Sequence, residues 1–337
     1  MSEELASSRD HGFILGIDGG GSKVLVALAD RSGRILRVAR GGGINPMDNP
    51  NWRRELDAQL GHFAGEPRLK AVAAALPAYG EVAHISEKQR QAILKAFPGV
   101  SQRVLNDVDA AHLGAFAGGS GILILSGTGS MAWARDAEGN ASRAGGWGDV
   151  IGDEGSSYWI GRAALSLVSQ SLDGRAERTA LAEALFDHLH LDKSDPINAL
   201  AGWVAGLASP RAGIASLSVL VDRVAREGDA GAIHLIGHAA DELAKHFRAI
   251  NSAAADWTYA GGTFASRSLL RELEKRIGRP PVPPRLPPIG GALLAAAQLL
   301  DWPVDEGWIG QLAAAAQALV AQSGETDLKN KERREHV

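Results

Sequence analysis

One pattern occurs twice in this chain: three short strands joined by glycine-rich turns and followed by helices. The predicted strands lie at 13–17, 24–29 and 35–39 in the first copy, and at 122–125, 131–134 and 141–144 in the second. These are short apolar runs bounded by glycine and polar residues, which is typical of strands. The repeat predicts two related α/β domains on either side of a cleft.

The two copies of the pattern also set the predicted domain limits. After the first three strands, helical and strand-like segments alternate as far as residue 117, and the second copy begins after Gly118. The sheets should be mixed, with a partly antiparallel edge, and flanked by helices. We expect an N-terminal domain at 12–117, a C-terminal domain at 118–300, a last helix at 305–322 packed on the N-terminal domain, and disordered tails at 1–11 and 323–337.

Composition excludes several classes of function. The 337 residues include no cysteine, which excludes disulfides, thiolate zinc sites and cysteine-held iron–sulfur clusters. The formal net charge is −4 and the basic residues are scattered, unlike the clustered cations of a nucleic-acid-binding surface. No apolar run reaches the roughly 18 residues needed to cross a bilayer, and residues 1–10 do not resemble a signal peptide. We therefore expect a soluble cytoplasmic protein with no nucleic-acid or membrane partner.

The first glycine turn, residues 18–23 (DGGGSK), has the composition of a phosphate-binding loop. It opens into a second strand, whereas a P-loop or a dinucleotide-binding fingerprint opens into a helix. Three consecutive glycines would let backbone N–H groups approach a phosphate closely, and Ser22 could add a hydroxyl. Asp18, at the strand end, could hold Mg²⁺ through water. An ordinary hairpin turn is the alternative interpretation.

The second glycine turn, residues 126–130 (SGTGS), is followed by two further glycine clusters at 145–148 and 152–156. Asp153 and Glu154 precede a helical pattern, and carboxylates are favoured at helix N-termini. Surface turns and a helix cap would explain these residues without any ligand. Trp147 could likewise be a core side chain, although its position between glycines favours exposure to a bound ring. Together the clusters indicate a polar small-molecule site.

These motifs, in this order, resemble those of the sugar kinase, actin and Hsp70 ATPase superfamily. More narrowly, the chain resembles N-acetylglucosamine kinases and their relatives, a group that includes the activating ATPases of benzoyl-CoA reductase and 2-hydroxyacyl-CoA dehydratase. The resemblance spans residues 13 to about 300 and is carried by GIDGGGS at 16–22, ND at 106–107, SGTGS at 126–130, GGWG at 145–148, GDEGSSYW at 152–159 and GGT at 261–263. It implies two ribonuclease H-like, actin-like ATPase domains with an interdomain cleft.

The resemblance also implies a role for each matching residue. Asp107 would be the catalytic base, in preference to the nearby Asp109, and Asp18 would lie near Mg²⁺. The sugar would contact Asn45, Asn106, Thr128, Gly146, Trp147 and Asp153. ATP would contact Gly19, Gly20, Gly21, Ser22, Lys23, Gly127, Thr128, Gly129, Ser130, Ser216, Gly261, Gly262 and Thr263.

The activity implied by the resemblance is ATP- and Mg²⁺-dependent phosphorylation of the 6-hydroxyl of N-acetylglucosamine, carried out by a homodimer. Glucosamine is an alternative substrate with the same mechanism, and the sequence does not choose between the two sugars. An activating ATPase is a different class of function, disfavoured because its iron–sulfur cluster needs cysteines. A catalytically silent sugar sensor is a third class, which the intact set Asp18, Asp107 and Thr128 opposes.

Overall fold

The computed structural model describes residues 12–21, 23–250 and 256–319. The chain divides into two compact units. The first unit comprises the chain up to Gly119 together with the segment from Pro283 onward, and the second unit comprises Ser120–Val282. Each unit contains one mixed sheet with helices packed against it. The prediction of two α/β domains with mixed sheets is confirmed.

The sheet of the first unit has the strand order β3-β2-β1-β4-β5. Its strands are β1 (Phe13–Gly19), β2 (Lys23–Ala29), β3 (Ile35–Gly42), β4 (Leu69–Leu76) and β5 (Ser101–Asn106). The first three strands form antiparallel pairs, whereas β4 runs parallel to both β1 and β5. β4 is buried along nearly its whole length, as expected for a central parallel strand that is covered on both faces.

The sheet of the second unit repeats this arrangement with one strand fewer, in the order β8-β7-β6-β9. Its strands are β6 (Gly121–Ser126), β7 (Ser130–Arg135), β8 (Ala141–Gly145) and β9 (Trp257–Ala260). β6, β7 and β8 form antiparallel pairs, and β9 runs parallel to β6. In both units a tight glycine turn joins the first two strands, so the repeat in the sequence corresponds to a repeat in the fold.

Helices cover these sheets, and none within the described residues is long and apolar enough to span a membrane. They are α1 (Trp52–Gly61), α2 (Ala83–Ala96), α3 (Asp107–Ala115), α4 (Ser157–Leu172), α5 (Ala180–His188), α6 (Pro196–Ala205), α7 (Pro210–Arg226), α8 (Ala230–Ala249), α9 (Arg267–Ile277), α10 (Pro288–Gln298) and α11 (306–319). A 3₁₀ turn, Gly262–Ala265, follows β9. In the second unit, apolar residues of α4, α5, α7, α8 and α9 pack with β6 and β7 into one core.

Helix α10 corrects one predicted domain limit. Residues 283–300 are predicted from the sequence to belong to the C-terminal domain, but the structure places them in the first unit. The reason is packing: α10 is buried around its whole circumference, and Leu293 shares a core with Ile14 of β1 and Leu113 of α3. The other limit lies at Gly119, two residues beyond the predicted end of the N-terminal domain.

The last helix also contributes to the first unit. It is predicted at 305–322 and is described over 306–319, where Trp308, Ile309 and Leu312 lie in the same core as α10. The tails predicted to be disordered, at 1–11 and 323–337, lie outside the described residues.

Substituting Gly291 tests the close contact between α10 and α3. A Cβ atom at Gly291 would overlap the Ala110 carbonyl oxygen and would lie 2.7 Å from the Gly114 nitrogen. Because overpacking of a well-packed interface costs about 1–3 kcal/mol, Gly291→Ala should lower the free energy of unfolding by about that amount, measured by urea denaturation. Gly310→Ala is the control. Because Gly310 is exposed on α11 with open space around it, alanine there should raise the free energy of unfolding by roughly 0.5–1 kcal/mol. Equal effects of the two variants would contradict the described packing.

Candidate functional site

In the first unit, the predicted metal and base residues lie at the same edge of the sheet. Asp18, near the end of β1, is in register with Ala75 of β4, and the next residue of β4, Leu76, is in register with Asn106 at the end of β5. Asp107 is the first residue of α3. Parallel strands that end together bring these carboxyl groups to one edge, as is usual for ligand sites in α/β sheets.

Asn106 caps α3 and thereby fixes the position of Asp107. Its side-chain oxygen accepts a hydrogen bond from the Val108 N–H (2.9 Å), and its amide nitrogen donates to the Tyr79 carbonyl (2.9 Å). A cap of this kind satisfies an N–H group that the helix leaves free. Asp109, the alternative candidate for the base, is buried in α3. Asn106 therefore has a structural role in addition to its predicted contact with the sugar.

The two carboxyl groups perturb one another. Burial raises the pKa of Asp107 to about 7, with further increases from the negative charges of Asp18 and Glu81 and a partial offset from the Val108 N–H. Burial also raises the pKa of Asp18 to about 6, and the ammonium of Lys23 opposes this rise. A carboxyl group with a pKa near neutrality suits general-base chemistry. A partly desolvated pair of like charges also suits a divalent cation, since Mg²⁺ is held by one or two carboxylates.

The raised pKa of Asp107 should make stability depend on pH. The pKa of this carboxyl group is about 7 in the folded protein, compared with its ordinary value of 3.8 in an unfolded chain. The folded state therefore holds the proton more tightly, and the fold becomes less stable as pH rises from about 4 to 7. Asp107→Asn should therefore melt at a higher temperature than the parent protein at pH 8, and the gap should close towards pH 4. Thermal unfolding without nucleotide or Mg²⁺ measures this difference.

Asp229→Asn provides a control of opposite sign for that measurement. Burial tends to raise the pKa of Asp229, but hydrogen bonds from the Ala232 N–H, the Thr179 hydroxyl and the Ala180 N–H lower it overall. This carboxylate therefore stabilises the fold above about pH 4, and its neutral variant should melt below the parent at pH 8. Melting temperatures that shift in the same direction in both variants would contradict the assignment.

The first glycine turn is closed by a hydrogen bond from the Gly20 N–H to the Lys23 carbonyl (2.9 Å). The Gly20 carbonyl accepts from the Ile44 N–H (3.0 Å), which brings the loop containing Asn45 next to the turn. The Asn45 side chain donates to Asp48 (2.6 Å) and accepts from the Met47 N–H (3.1 Å). The structure therefore brings the predicted residues Gly19, Gly20, Gly21, Lys23 and Asn45 together, while Ser22 lies outside the described residues.

In the second unit, residues 153–157 hold the second glycine turn. The Ser126 hydroxyl donates to the Gly155 carbonyl (3.0 Å), the Ser130 hydroxyl donates to the Glu154 carbonyl (2.6 Å), and the Gly127 carbonyl accepts from the Ser157 N–H (2.8 Å). These bonds use backbone groups of residues 154–157, so the conformation of this segment determines the conformation of the turn. Glu154 itself lies 3.7 Å from His246, whose pKa is lowered by burial and raised in part by Glu154.

Asp153 is a buried acceptor beside this turn, and its side chain is paired. It is 3% exposed and has a φ of 58°, which is uncommon for a residue other than glycine. Its Oδ1 accepts from the Ser130 N–H (3.2 Å), and its Oδ2 accepts from Arg211 (2.6 Å). Arg211 could not be identified from the sequence, because it lies 58 residues from Asp153, at the start of α7, and belongs to no motif. The predicted sugar contact of Asp153 stays a prediction.

Trp147 lies on the surface of the second unit. It is 66% exposed, and the Arg143 guanidinium lies 5.4 Å from the centre of its ring. The alternative interpretation of Trp147 as a core side chain is therefore wrong. Thr128 is also exposed, and the Gly146 N–H donates to the Ser130 carbonyl (3.0 Å), which ties the GGWG motif to the second glycine turn.

Residues 261–263 also contact the second glycine turn. The Thr263 hydroxyl donates to the Gly127 carbonyl (3.1 Å) and lies 2.7 Å from the Ser157 hydroxyl. Gly261 packs directly against Ser126 with a φ of 108°. Ser216 is different: it is exposed on α7, and its hydroxyl donates to Gly213 of the same helix (2.7 Å), which links it to neither glycine turn. The structure thus brings together the predicted residues of this unit except Ser216.

Known proteins are similar to this chain over most of its length. A model of the BadF/BadG/BcrA/BcrD ATPase family matches residues 15–296. An N-acetylmuramic acid/N-acetylglucosamine kinase from Clostridium acetobutylicum is 29% identical over 244 residues, which cover 71% of this chain and 79% of the relative. A crystal structure of a provisionally named N-acetylglucosamine kinase from Chromobacterium violaceum superposes with a TM-score of 0.70 at 28% identity, covering 84% of this chain and 98% of that chain. A similarly named protein from Porphyromonas gingivalis shares the fold. It is 20% identical and superposes with a TM-score of 0.65, covering 85% of this chain and 98% of that chain.

Proposed function

Because the chain belongs to the BadF/BadG/BcrA/BcrD ATPase family, we propose that it is an ATP-dependent kinase that phosphorylates the 6-hydroxyl of N-acetylglucosamine. The observation that carries this proposal is Asp107, capped in place by Asn106, with a pKa of about 7. The relatives from Clostridium acetobutylicum and Chromobacterium violaceum, both named as kinases of N-acetylglucosamine, support the substrate class.

In the proposed reaction Asp107 accepts the proton of the 6-hydroxyl as that oxygen attacks the γ-phosphorus of ATP. The bond from this phosphorus to the bridging oxygen breaks, and ADP leaves with the electron pair. General-base help of this kind contributes about 10²–10⁴-fold to the rate. The two glycine turns remain our predicted donors of N–H groups to the phosphates. Mg²⁺, with Asp18 near it, would neutralise phosphate charge when bound.

Three alternatives are kept as outcomes of the test. Phosphorylation of glucosamine would use the same base and the same phosphate-binding turns, so none of the described side chains argues against glucosamine as the substrate. N-Acetylmuramate is a third acceptor, because the relative from C. acetobutylicum is named for it. A cluster-dependent activating ATPase is disfavoured, since the chain supplies no cysteine ligands.

A coupled assay of ADP release tests the proposal. The purified chain is incubated with MgATP and N-acetylglucosamine, glucosamine, N-acetylmuramate, glucose or no sugar. We expect release that depends on an amino sugar and is highest with N-acetylglucosamine. Full-rate release without sugar would contradict a kinase, and a complete lack of ATP turnover or binding would favour the sugar sensor.

Trp147 should contribute to sugar binding through its exposed ring. Trp147→Ala should raise the KM for the sugar about tenfold, equivalent to ~1.4 kcal/mol, because it removes an apolar surface for the sugar ring. The KM for ATP should change little. Val150→Ala is the control, since Val150 is 87% exposed on the same loop and should leave both KM values unchanged. An unaltered sugar KM in Trp147→Ala would remove this residue from the site.

A further inference from the structure

We propose that Arg211 is a positioning residue for the nucleotide: through Asp153 it holds the second glycine turn in shape and screens a buried carboxylate from the phosphates. This inference rests on the proposed function, because it assumes that the turn at 126–130 binds ATP. It adds a residue that no motif of the sequence identifies, and it assigns Asp153 a function on the phosphate side of the site.

The contacts form a short chain from helix α7 to the turn. An Arg211 terminal nitrogen lies 2.6 Å from Asp153 Oδ2, and Asp153 Oδ1 accepts the Ser130 N–H at 3.2 Å. The ion pair also packs on Gly129, where an added Cβ would lie 2.8 Å from Asp153 Oδ1 and 2.9 Å from Arg211. The pair therefore contacts two consecutive residues of the turn. A shift of either side chain would be passed directly to the N–H groups that are predicted to face phosphate.

The backbone of Asp153 needs this support. The residue has a left-handed φ of 58°, and such a conformation persists in a non-glycine residue only when surrounding contacts hold it. The two oxygens of its carboxylate are used by Ser130 and Arg211, one on each. Arg211 also lies 3.9 Å from Asp149, so it connects helix α7 with the loop that precedes Asp153. Removing Arg211 would release this loop at two points.

The larger part of the expected effect on nucleotide binding comes from the charge of Arg211. Asp153 is almost fully buried, so solvent screens its negative charge poorly. Paired with a guanidinium, the carboxylate is neutralised and can accept the Ser130 N–H without repelling a polyphosphate nearby. Without Arg211, an unpaired buried carboxylate would lie beside a turn that must bind up to four negative charges. We therefore expect loss of Arg211 to weaken nucleotide binding, and loss of the Asp153 charge to reverse that effect.

The experiment measures the Kd of a non-hydrolysable ATP analogue, AMPPNP with Mg²⁺, by isothermal titration calorimetry. Arg211→Ala should bind the analogue at least tenfold more weakly than the parent. When Arg211→Ala is combined with Asp153→Asn, the Kd for AMPPNP should return to within about threefold of the parent value, because asparagine keeps an oxygen for the Ser130 N–H and carries no charge. Asp153→Asn alone and Arg211→Lys should also stay within about threefold. If Arg211→Ala does not fold, recovery of folding and of AMPPNP binding in the double variant tests the same charge compensation, and a double variant that folds but binds more than tenfold weaker than the parent would overturn the inference.

Arg226→Ala is the matched control, since Arg226 is an exposed residue of the same helix that pairs with Asp222 at 3.0 Å. It should bind AMPPNP as the parent does. Parent-like binding by Arg211→Ala would overturn the inference, as would equally weak binding by the single and double variants, which would indicate direct contact with the nucleotide or general loss of packing. Failure of the parent protein itself to bind AMPPNP would instead contradict the proposed function.

Discussion

Asp107→Asn is expected to lower kcat by about 10²–10⁴-fold, the contribution of a general base to the transfer step. Asparagine has nearly the same shape and leaves the Asn106 cap of α3 in place, so the fold and the sugar site should persist. The Kd for the sugar should therefore stay within about threefold of the parent. Steady-state kinetics together with calorimetric titration of the sugar measure these two quantities separately.

The pH dependence of the parent enzyme tests the role of Asp107 independently. Because the pKa of Asp107 is about 7 in the protein without ligands, kcat/KM should rise from pH 6 to pH 8 as the carboxylate forms.

Asp57→Asn is the matched control for Asp107→Asn, as Asp57 is an exposed carboxylate of α1 paired with Arg53 at 2.8 Å. Its kcat should equal that of the parent. Normal kcat in Asp107→Asn would remove Asp107 from the role of base.

Gly261→Ala is expected to cause the largest loss of stability together with loss of nucleotide binding. The backbone at 261 has a φ of 108° and a ψ of 154°, a region that is essentially restricted to glycine. A Cβ atom there would also overlap the Ser126 carbonyl oxygen and would lie 3.0 Å from the Gly127 nitrogen. Backbone strain and overpacking each cost about 1–3 kcal/mol, so the free energy of unfolding should fall by roughly 2–6 kcal/mol.

The neighbouring residue provides the control for this variant. An added Cβ at Gly262 would meet no atom within 4 Å, so Gly262→Ala should unfold at nearly the same urea concentration as the parent. Because Gly261 packs on the second glycine turn, any folded Gly261→Ala should also show a higher KM for ATP. Similar unfolding midpoints for both variants would show that the close approach between residues 261 and 126 is not required.

The local features of the fold could be predicted from the sequence because they depend on neighbouring residues. Short apolar runs bounded by glycine indicate strands wherever they occur, and the two glycine turns both join antiparallel strands as expected. Asp18 could be placed at the end of a strand from the sequence, whereas the role of Asp107 followed only from the resemblance carried by its ND motif. The predicted cleft, homodimer and cytoplasmic location stay predictions.

Features that depend on distant parts of the chain could not be predicted in this way. Helix α10 is apolar all round, and nothing in residues 283–300 indicates that they pack with β1 rather than with the preceding domain. Arg211 likewise stands in an ordinary helix start after Pro210, and only the fold brings it to Asp153. The pKa values of Asp18 and Asp107 depend on burial, which the sequence does not give in detail.

The fate of the γ-phosphate distinguishes a sugar kinase from an enzyme that only hydrolyses ATP. The chain is incubated with MgATP and N-acetylglucosamine, and phosphorus NMR is used to quantify ADP, inorganic phosphate and sugar phosphate in the same sample. A kinase transfers one phosphate for each ADP formed, so we predict equal amounts of ADP and N-acetylglucosamine 6-phosphate with little inorganic phosphate. ADP matched by inorganic phosphate, with the sugar unmodified, would contradict the kinase activity and identify the protein as an ATPase.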